Sequence, residues 1–355
     1  MVLHTILVCA NLFCVTGLLV CTFSAWIKPQ SFPGVSYFGL VFPVFLILTA
    51  AFLLFWPFVS ILRIHRTAWK YAAISLAGMI GCAGSIRTYF PVNFPAEAPE
   101  GSLKVMSYNA FGKVRESGIP AEDNPIVNYL LQSGADIICL QEANISADKE
   151  EDKLLDAVYP YRHYAKGYSL VLLSKYPIVA DGRIDYISSG NASWWYELLW
   201  NNDTLLVVNN HLESYHLNEA DRAEYVEIIR QPEEANVRQN VDSLTAKLAS
   251  ANAIRGAQAD SVAAFVESRL HRPIILCGDF NDCSISYTHR QLTRQLNDAY
   301  TRSGNGPGLS YHRNGMYFRI DNILCSPCFR SYGAVVDRHI KQSDHYPILC
   351  TLAKE

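Results

Sequence analysis

The first ninety residues contain no aspartate or glutamate and only five basic residues, Lys28, Arg63, Arg66, Lys70 and Arg87. Such a stretch has no ordinary water-facing surface of its own. The rest of the chain has an ordinary globular composition but no basic excess. Thirty basic residues less those five leave 25 from Ser102 onward, and 33 acidic residues less Glu97 and Glu100 leave 31, a net of −6. Non-specific nucleic-acid binders are usually basic, so this balance counts against one. The chain holds ten cysteines but only one Cys-x-x-Cys, Cys325 and Cys328. With no second pair they do not build a zinc site of the four-cysteine kind. A disulfide between them is open if the domain lies outside the cytoplasm. Cys139, Cys277 and Cys350 fall in apolar strand-like runs and read as small core residues. Internal repeats, low-complexity tracts and a Gly-x-Ser-x-Gly nucleophile setting are also missing.

Long apolar runs are what the N-terminal part has. Val2 to Ile27 is long enough to cross a bilayer. A cleaved signal peptide is the rival reading, weakened by the lack of a basic start and by the span that follows. Tyr37 to Leu62 is that second span, uncharged and holding Pro43 and Pro57. Lys70 to Phe90 is a third, less apolar, with Gly78, Gly81 and Gly84 at spacings that suit close helix packing. The domain plan is therefore a membrane domain over 1–90 with spans near 2–27, 37–62 and 70–90. Arg63 to Lys70 is the basic loop, and short basic loops stay in the cytoplasm. That places the N-terminus inside and everything after Phe90 outside, as a multi-pass membrane protein with an extracytoplasmic globular domain. Residues 91–101, with three prolines, read as an extended linker to a globular domain over 102–355.

Within that domain strands and helices alternate, which predicts an α/β or α+β fold. Leu103–Asn109, Asp136–Glu142, Tyr168–Leu173, Leu205–Asn210, Phe318–Leu324 and Ile348–Leu352 read as strands. Asn124–Pro125 starts a helix that Gly134 stops. Glu219–Ala253 reads as a solvated helical hairpin, with a substrate element as the alternative, and Arg255–Leu270 as an amphipathic helix. The most telling stretch is Ile274–Asp282. Four apolar residues run into Gly278, Asp279, Phe280 and Asn281, as a buried strand that turns sharply at its end. Asp279 and Asn281 share a face if strand geometry persists.

Several strands end in residues of chemical interest: Asn109, Glu142, His211, Asp279 with Asn281, Asp321, and Asp344 with His345. One such end is a turn residue; six in one domain point to a shared cleft at a sheet edge. Glu142 and Asp344 are hard oxygen donors suited to Mg²⁺ or Mn²⁺. The histidines offer acid, base or phosphate contacts near neutral pH. Metal-assisted attack of water on a phosphate ester fits this inventory best.

The ordered motifs Ser107-Tyr108-Asn109, Leu140-Gln141-Glu142, Asn210-His211-Leu212, Gly278-Asp279-Phe280-Asn281, Arg319-Ile320-Asp321 and Ser343-Asp344-His345 resemble the endonuclease/exonuclease/phosphatase superfamily, the deoxyribonuclease-I-like group. The resemblance covers about residues 102–355. It implies a four-layer fold of two packed β-sheets flanked by helices. It implies Glu142 as main metal ligand with Asn109 and Asp344 near the metal. It further implies Asp279 as the residue that orients or deprotonates water, Asn281 as its partner on the phosphate, His345 on the scissile phosphate with Asp321 holding its ring, and His211 as a second phosphate-facing histidine. Phe111 stands where some family nucleases carry an Asp, which puts a second metal ligand in doubt. The segment 213–253 and the three spans lie outside the family pattern.

Three functions compete: a membrane-anchored metal-dependent phosphoesterase acting on a lipid-linked or other phosphate ester, a membrane-tethered nuclease on DNA or RNA, and a catalytically silent binding domain. An eleven-residue linker reaches at most ~40 Å. So short a tether favours a membrane-bound substrate over nucleic acid.

Overall fold

Apolar residues alternate inward and outward along strands that are covered on both faces, and this places two sheets at the centre of the molecule. The computed structural model describes residues 2–62, 64, 67–215, 237–313 and 315–355. One sheet contains β1 (Leu103–Asn109), β2 (Ile137–Gln141), β3 (Tyr161–Ala165), β4 (Leu170–Ser174), β11 (Phe329–Val336) and β12 (Ile348–Lys354), in the order β11-β12-β1-β2-β4-β3. The other contains β5 (Ile178–Ile184), β6 (Ala192–Trp200), β7 (Asp203–His211), β8 (Ile274–Asp279), β9 (Asn297–Asp298) and β10 (Asp321–Cys325), in the order β5-β6-β7-β8-β10-β9. Each sheet has a parallel pair at its centre, β1 with β2 and β7 with β8.

Val105, Ile137 and Cys139 of the first sheet meet Val207, Ile275 and Cys277 of the second in one core. The residues between them point the other way. Met106, Ile138 and Leu140 pack with Ile126, Val127 and Leu130 of α5 (Pro125–Gln132) and Leu155 of α6 (Glu150–Asp156). Leu206, Val208 and Leu276 pack on Ala259, Val262 and Val266 of α7 (Val237–Glu267). Helix, sheet, sheet and helix give the expected four layers. Asn124 caps α5, its side chain accepting from the N–H groups of Ile126 and Val127.

Two readings of the sequence are corrected here. Val237–Glu267 is one helix of 31 residues, so the break expected between Ala253 and Arg255 is absent. The end of the segment read as solvated is also buried: Asn252 is buried and its Oδ1 accepts at 2.9 Å from the fully buried Arg255, which donates to the Glu213 carbonyl at 2.8 Å and stacks over the Tyr215 ring. The alternation of polar and small residues hid this, because a buried arginine reads as a surface one. Residues 216–236 of that segment, Pro232 among them, lie outside the described residues, as do Arg63, His65 and Arg66 of the basic loop.

The N-terminal part is helical: α1 (Val2–Ser24), α2 (Tyr37–Ile61), α3 (Trp69–Gly81) and α4 (Ala83–Tyr89). Helix α1 and the stretch Gly34–Ile61 are each long and apolar enough to cross a membrane. The third expected span is interrupted at Cys82, which separates α3 from α4. The helices are joined by Ser75 Oγ donating to Asn11 Oδ1 at 2.7 Å and Asn11 Nδ2 donating to the Tyr71 carbonyl at 3.1 Å.

These helices dock on the sheet domain rather than hang from it. Leu18, Cys21, Phe42 and Cys82 bury Ile285 of the domain. A Cβ on Gly39 would sit 2.1 Å from the Ile285 carbonyl oxygen, so only glycine lets α2 approach this loop so closely. Lys28 pairs with Asp260 at 3.0 Å, and Arg319 donates to the Thr88 carbonyl at 2.8 Å. The linker is pinned as well, because Asn93 Nδ2 donates to the carbonyls of Thr301 and Gly304. A sequence with three prolines reads as a stiff spacer; the single asparagine that anchors it is not visible without its distant acceptors.

Candidate active site

Register brings the polar strand ends together. In the second sheet Asp279 at the end of β8 lies between His211 of β7 and Asp321 of β10, its direct partners on either side. Gly278 has φ 140°, and a Cβ there would lie 2.0 Å from the Asn210 carbonyl oxygen. This position therefore admits only glycine. Strand geometry does not persist to Asn281, contrary to the simple reading of that motif. β8 ends at Asp279 and Asn281 is left-handed at φ 51°. The two still meet, because the Asn281 N–H donates to Asp279 Oδ1 at 2.8 Å. The Asn281 side chain donates to the Leu212 carbonyl at 2.9 Å, which fixes the loop after β7.

The first sheet supplies the other half. Glu142, the residue after β2, takes φ 47° and turns away from the strand direction. Asn109 at the end of β1 bridges the sheets: its Nδ2 donates at 3.0 Å to Glu142 Oε1 and at 3.0 Å to Asp279 Oδ2. Its Oδ1 accepts the Phe111 N–H at 3.1 Å, which sets the amide orientation. Ser343 Oγ donates to the Asn109 carbonyl at 2.7 Å and accepts the His345 N–H, so the last motif is clamped to the first.

His345 Nδ1–H donates to Asp321 Oδ2 at 2.8 Å, which leaves Nε2 facing Asp279 Oδ2 at 3.7 Å. Ser310 Oγ accepts the N–H groups of Ile320 and Asp321 and holds that carboxylate in place. Tyr311 packs edge-on against the imidazole at 5.1 Å. Burial pushes the Asp279 carboxyl up to about 7, with Asp321 adding to the rise and His345 opposing it. For His345 burial works against the charged form, but Asp321 and Asp279 outweigh it and raise its pKa. His211 is buried, which lowers its pKa and favours the neutral imidazole. Its Nε2 lies 3.6 Å from Glu142 Oε1 with no hydrogen bond.

Glu142, Asp279, Asn281, Asp344 and His345 line one cleft of about 270 Å³. Asn109 and Asp321 support it from behind, and His211 stands beside Glu142. The structure thus gathers all eight residues singled out in the sequence. Three neighbours were not read from the sequence. Arg313 faces Asp344 Oδ2 at 3.4 Å and lies over the Phe111 ring, and Ser310 and Tyr311 support the Asp321–His345 pair. All three sit in an irregular loop, where no periodicity marks them. The ten cysteines are free thiols, Cys325 and Cys328 included.

Four carboxylates meet here with few compensating cations, which suits a divalent ion. Asp279, Asp321 and His345 offer ligand atoms within 4.8 Å of one another. Both Asp279 oxygens already accept hydrogen bonds, from Asn109 and Asn281, and Asp321 Oδ2 accepts from His345, which leaves Asp321 Oδ1 buried without a partner. Asp344 Oδ1 is likewise buried without a hydrogen-bond partner, and the Glu142 side chain is 38% exposed to the cleft. An orphaned buried carboxylate oxygen is costly unless a cation meets it.

Fold and site together define a two-sheet sandwich with an acidic, histidine-bearing cleft at its strand ends. The profile of the endonuclease/exonuclease/phosphatase family matches residues 106–345, and the chain belongs to that family. It is therefore a hydrolase of phosphate esters, in a family that generally uses divalent metal ions. A second profile, described as a domain of unknown function, matches residues 4–89. No curated protein matches the chain. Among solved structures, the human Nocturnin catalytic domain with bound sulfate is 15% identical with TM-score 0.51, covering 74% of this chain and 97% of that one. Truncated Caenorhabditis elegans TDP2 is 17% identical with TM-score 0.49, covering 72% and 99%. Sphingomyelinase C from Streptomyces griseocarneus is 17% identical with TM-score 0.45, covering 72% and 99%. At these identities the likeness concerns the fold.

Proposed function

We propose that this chain is a membrane-anchored, metal-dependent phosphoesterase that cleaves a membrane-proximal, lipid-linked phosphate ester. The observation that carries the chemistry is the Asp321–His345–Asp279 arrangement beside Glu142 and Asp344 in one cleft. Asp279 is the base: a carboxyl with a pKa near neutrality can both orient water and accept its proton. Water oxygen adds to phosphorus as the ester oxygen departs, the water's proton passes to Asp279, and solvent protonates the departing alkoxide. Asn109 and Asn281 hold the two Asp279 oxygens in position. His345, kept cationic by Asp321, stabilises charge on the phosphate oxygens. Glu142 and Asp344 would hold Mg²⁺ or Mn²⁺, which supplies Lewis-acid stabilisation of the phosphate. Asn109 would orient Glu142 toward such an ion through the hydrogen bond that its Nδ2 donates to Glu142 Oε1.

Glu142→Gln removes a ligand charge but keeps the shape, and should lower kcat by about 10²- to 10⁴-fold with unchanged thermal unfolding. Full activity of this variant, or of wild type in chelator, on a panel of phosphodiesters and monoesters would refute the metal role. The reading favours a lipid over nucleic acid because the domain is net acidic and its cleft borders the apolar helix α2. We read the sheet domain as extracytoplasmic because the short loop before α3 is basic. A reporter joined after Gly101 should then work only if it is a reporter of export, and cytoplasmic activity there would reverse the assignment.

A further inference from the structure

The cleft that contains the catalytic carboxylates is not polar throughout. Its lining also includes Leu40, Leu248, Met316 and Phe318. These come from three separate places: the first turn of α2, the middle of α7, and the loop before β10. None of the four is fully buried, so each keeps surface free to meet a ligand. An apolar lining directly beside a phosphate-binding centre is wasteful for a water-soluble phosphate ester, which would leave it wetted.

Depth is set by α2. Leu40 lies three residues after the helix start at Tyr37, or about 5 Å along the axis. The helix has 25 residues, about 37 Å, whereas a bilayer's hydrocarbon core is about 30 Å. Its first turn therefore falls at the boundary of headgroups and hydrocarbon when the remainder crosses. Trp26 lies beyond the end of α1, largely exposed, with the Arg290 guanidinium 3.4 Å over its ring. An aromatic with a basic partner is the usual occupant of that boundary. The docking is close-packed, with Gly39 against the Ile285 carbonyl and the Tyr37 hydroxyl donating to the Thr245 carbonyl of α7. Leu40 is thus held in the cleft wall by contacts on both sides.

We propose that this apolar lining seats the hydrocarbon portion of the substrate, so that Leu40, on a helix long enough to cross the membrane, is a specificity-determining residue of the active site. The occupant is a lipid phosphate ester whose scissile phosphate reaches Asp279 and His345 from the headgroup layer while its chain stays along Leu40, Met316 and Phe318. The inference rests on the phosphoesterase reading. It adds that the helices are part of the substrate site and not only an anchor.

The test uses the full-length protein held in an amphipathic polymer, without free detergent, in Mg²⁺. The substrates are nitrophenyl alkyl phosphodiesters with methyl, butyl and octyl chains, below their aggregation limits. Each buried methylene contributes about fourfold in binding. In wild type, kcat/KM should therefore rise about a hundredfold from methyl to octyl, allowing for incomplete burial. Leu40→Ala should cut the octyl-to-methyl ratio about tenfold, and Leu40→Met should restore it. Met316→Ala, in a loop and free of any folding role for α2, should cut the same ratio about fivefold. A wild-type ratio near one, a ratio unmoved by both alanine variants, or plasmid DNA cut faster than the octyl ester would overturn the proposal while leaving a phosphoesterase in place. No turnover of any ester, with any divalent ion, would overturn the phosphoesterase reading itself.

Discussion

The two kinds of lining in the cleft are built in opposite ways. The polar lining comes from strand ends, and the ladders of each sheet set where Asn109, Asp279 and Asp321 stand. Its members are then locked by short polar contacts, such as Asn109 to both Glu142 and Asp279. The apolar lining has no ladder. Leu40 is brought there by the docking of the N-terminal helices on the loop that carries Ile285, while α7 contributes Leu248 and the loop before β10 contributes Met316. Chemistry that needs sub-ångström positioning rests on the rigid sheets. Recognition of a flexible hydrocarbon chain tolerates a wall assembled by packing.

That difference can be broken from either side. The largest effect is expected in the polar lining. His345→Ala and Asp321→Ala should each cost about 10²- to 10⁴-fold in kcat. Because Asp321 acts through the imidazole it orients, the double variant should be little worse than His345→Ala alone. Strictly multiplicative losses would show that the pair does not act as a unit.

A smaller effect is expected where the two regions are joined. Asp298 is buried between Arg319, at 2.9 Å, and His289, and Arg319 in turn holds the Thr88 carbonyl. Burial pushes its carboxyl up, but Arg319 and His289 more than offset this and hold it well below the usual carboxylate range. A depressed folded-state pKa gives stability that is fully present above the unfolded value of about 3.9 and is lost as pH falls below it. Asp298→Asn should therefore cost about 3–5 kcal/mol near neutral pH, since it leaves Arg319 buried without its counter-charge. The cost should shrink as pH drops below about 4, because the unfolded wild type then binds a proton that the folded carboxylate does not take up, and the loss is complete only below the folded pKa. Chemical unfolding of the intact protein at pH 7 and pH 3 measures it, and an equal cost at both would contradict the assignment.

The same contrast explains what was legible in the sequence. Strand ends are legible because a buried strand is a short apolar run and the polar residue that stops it stands out. Leu103–Asn109 and Ile274–Asp279 are such runs; they carry motifs of the family resemblance, and it is the resemblance that implies the four-layer fold. The hairpin of β5 and β6 was not readable from Ile178–Ile184, whose burial alternates and whose residues include Asp181, Gly182 and Arg183. Leu40 carries no signal either, because it is one apolar residue among many in a helix whose apolar character has another cause. Arg313, Tyr311 and Ser310 lie far from the first motifs and gain meaning only beside His345. Asn93 turned a spacer into a pinned segment through carbonyls more than two hundred residues away.

In the proposed function one cleft combines phosphate chemistry with access from a bilayer. The most direct measurement places the intact protein in phospholipid vesicles with Mg²⁺ and follows headgroup release from vesicle lipid against cleavage of plasmid DNA. Mg²⁺-dependent release from lipid is expected, lowered by about 10²- to 10⁴-fold in His345→Ala, with DNA cut far more slowly. Rapid DNA cleavage with intact vesicle lipid would contradict it.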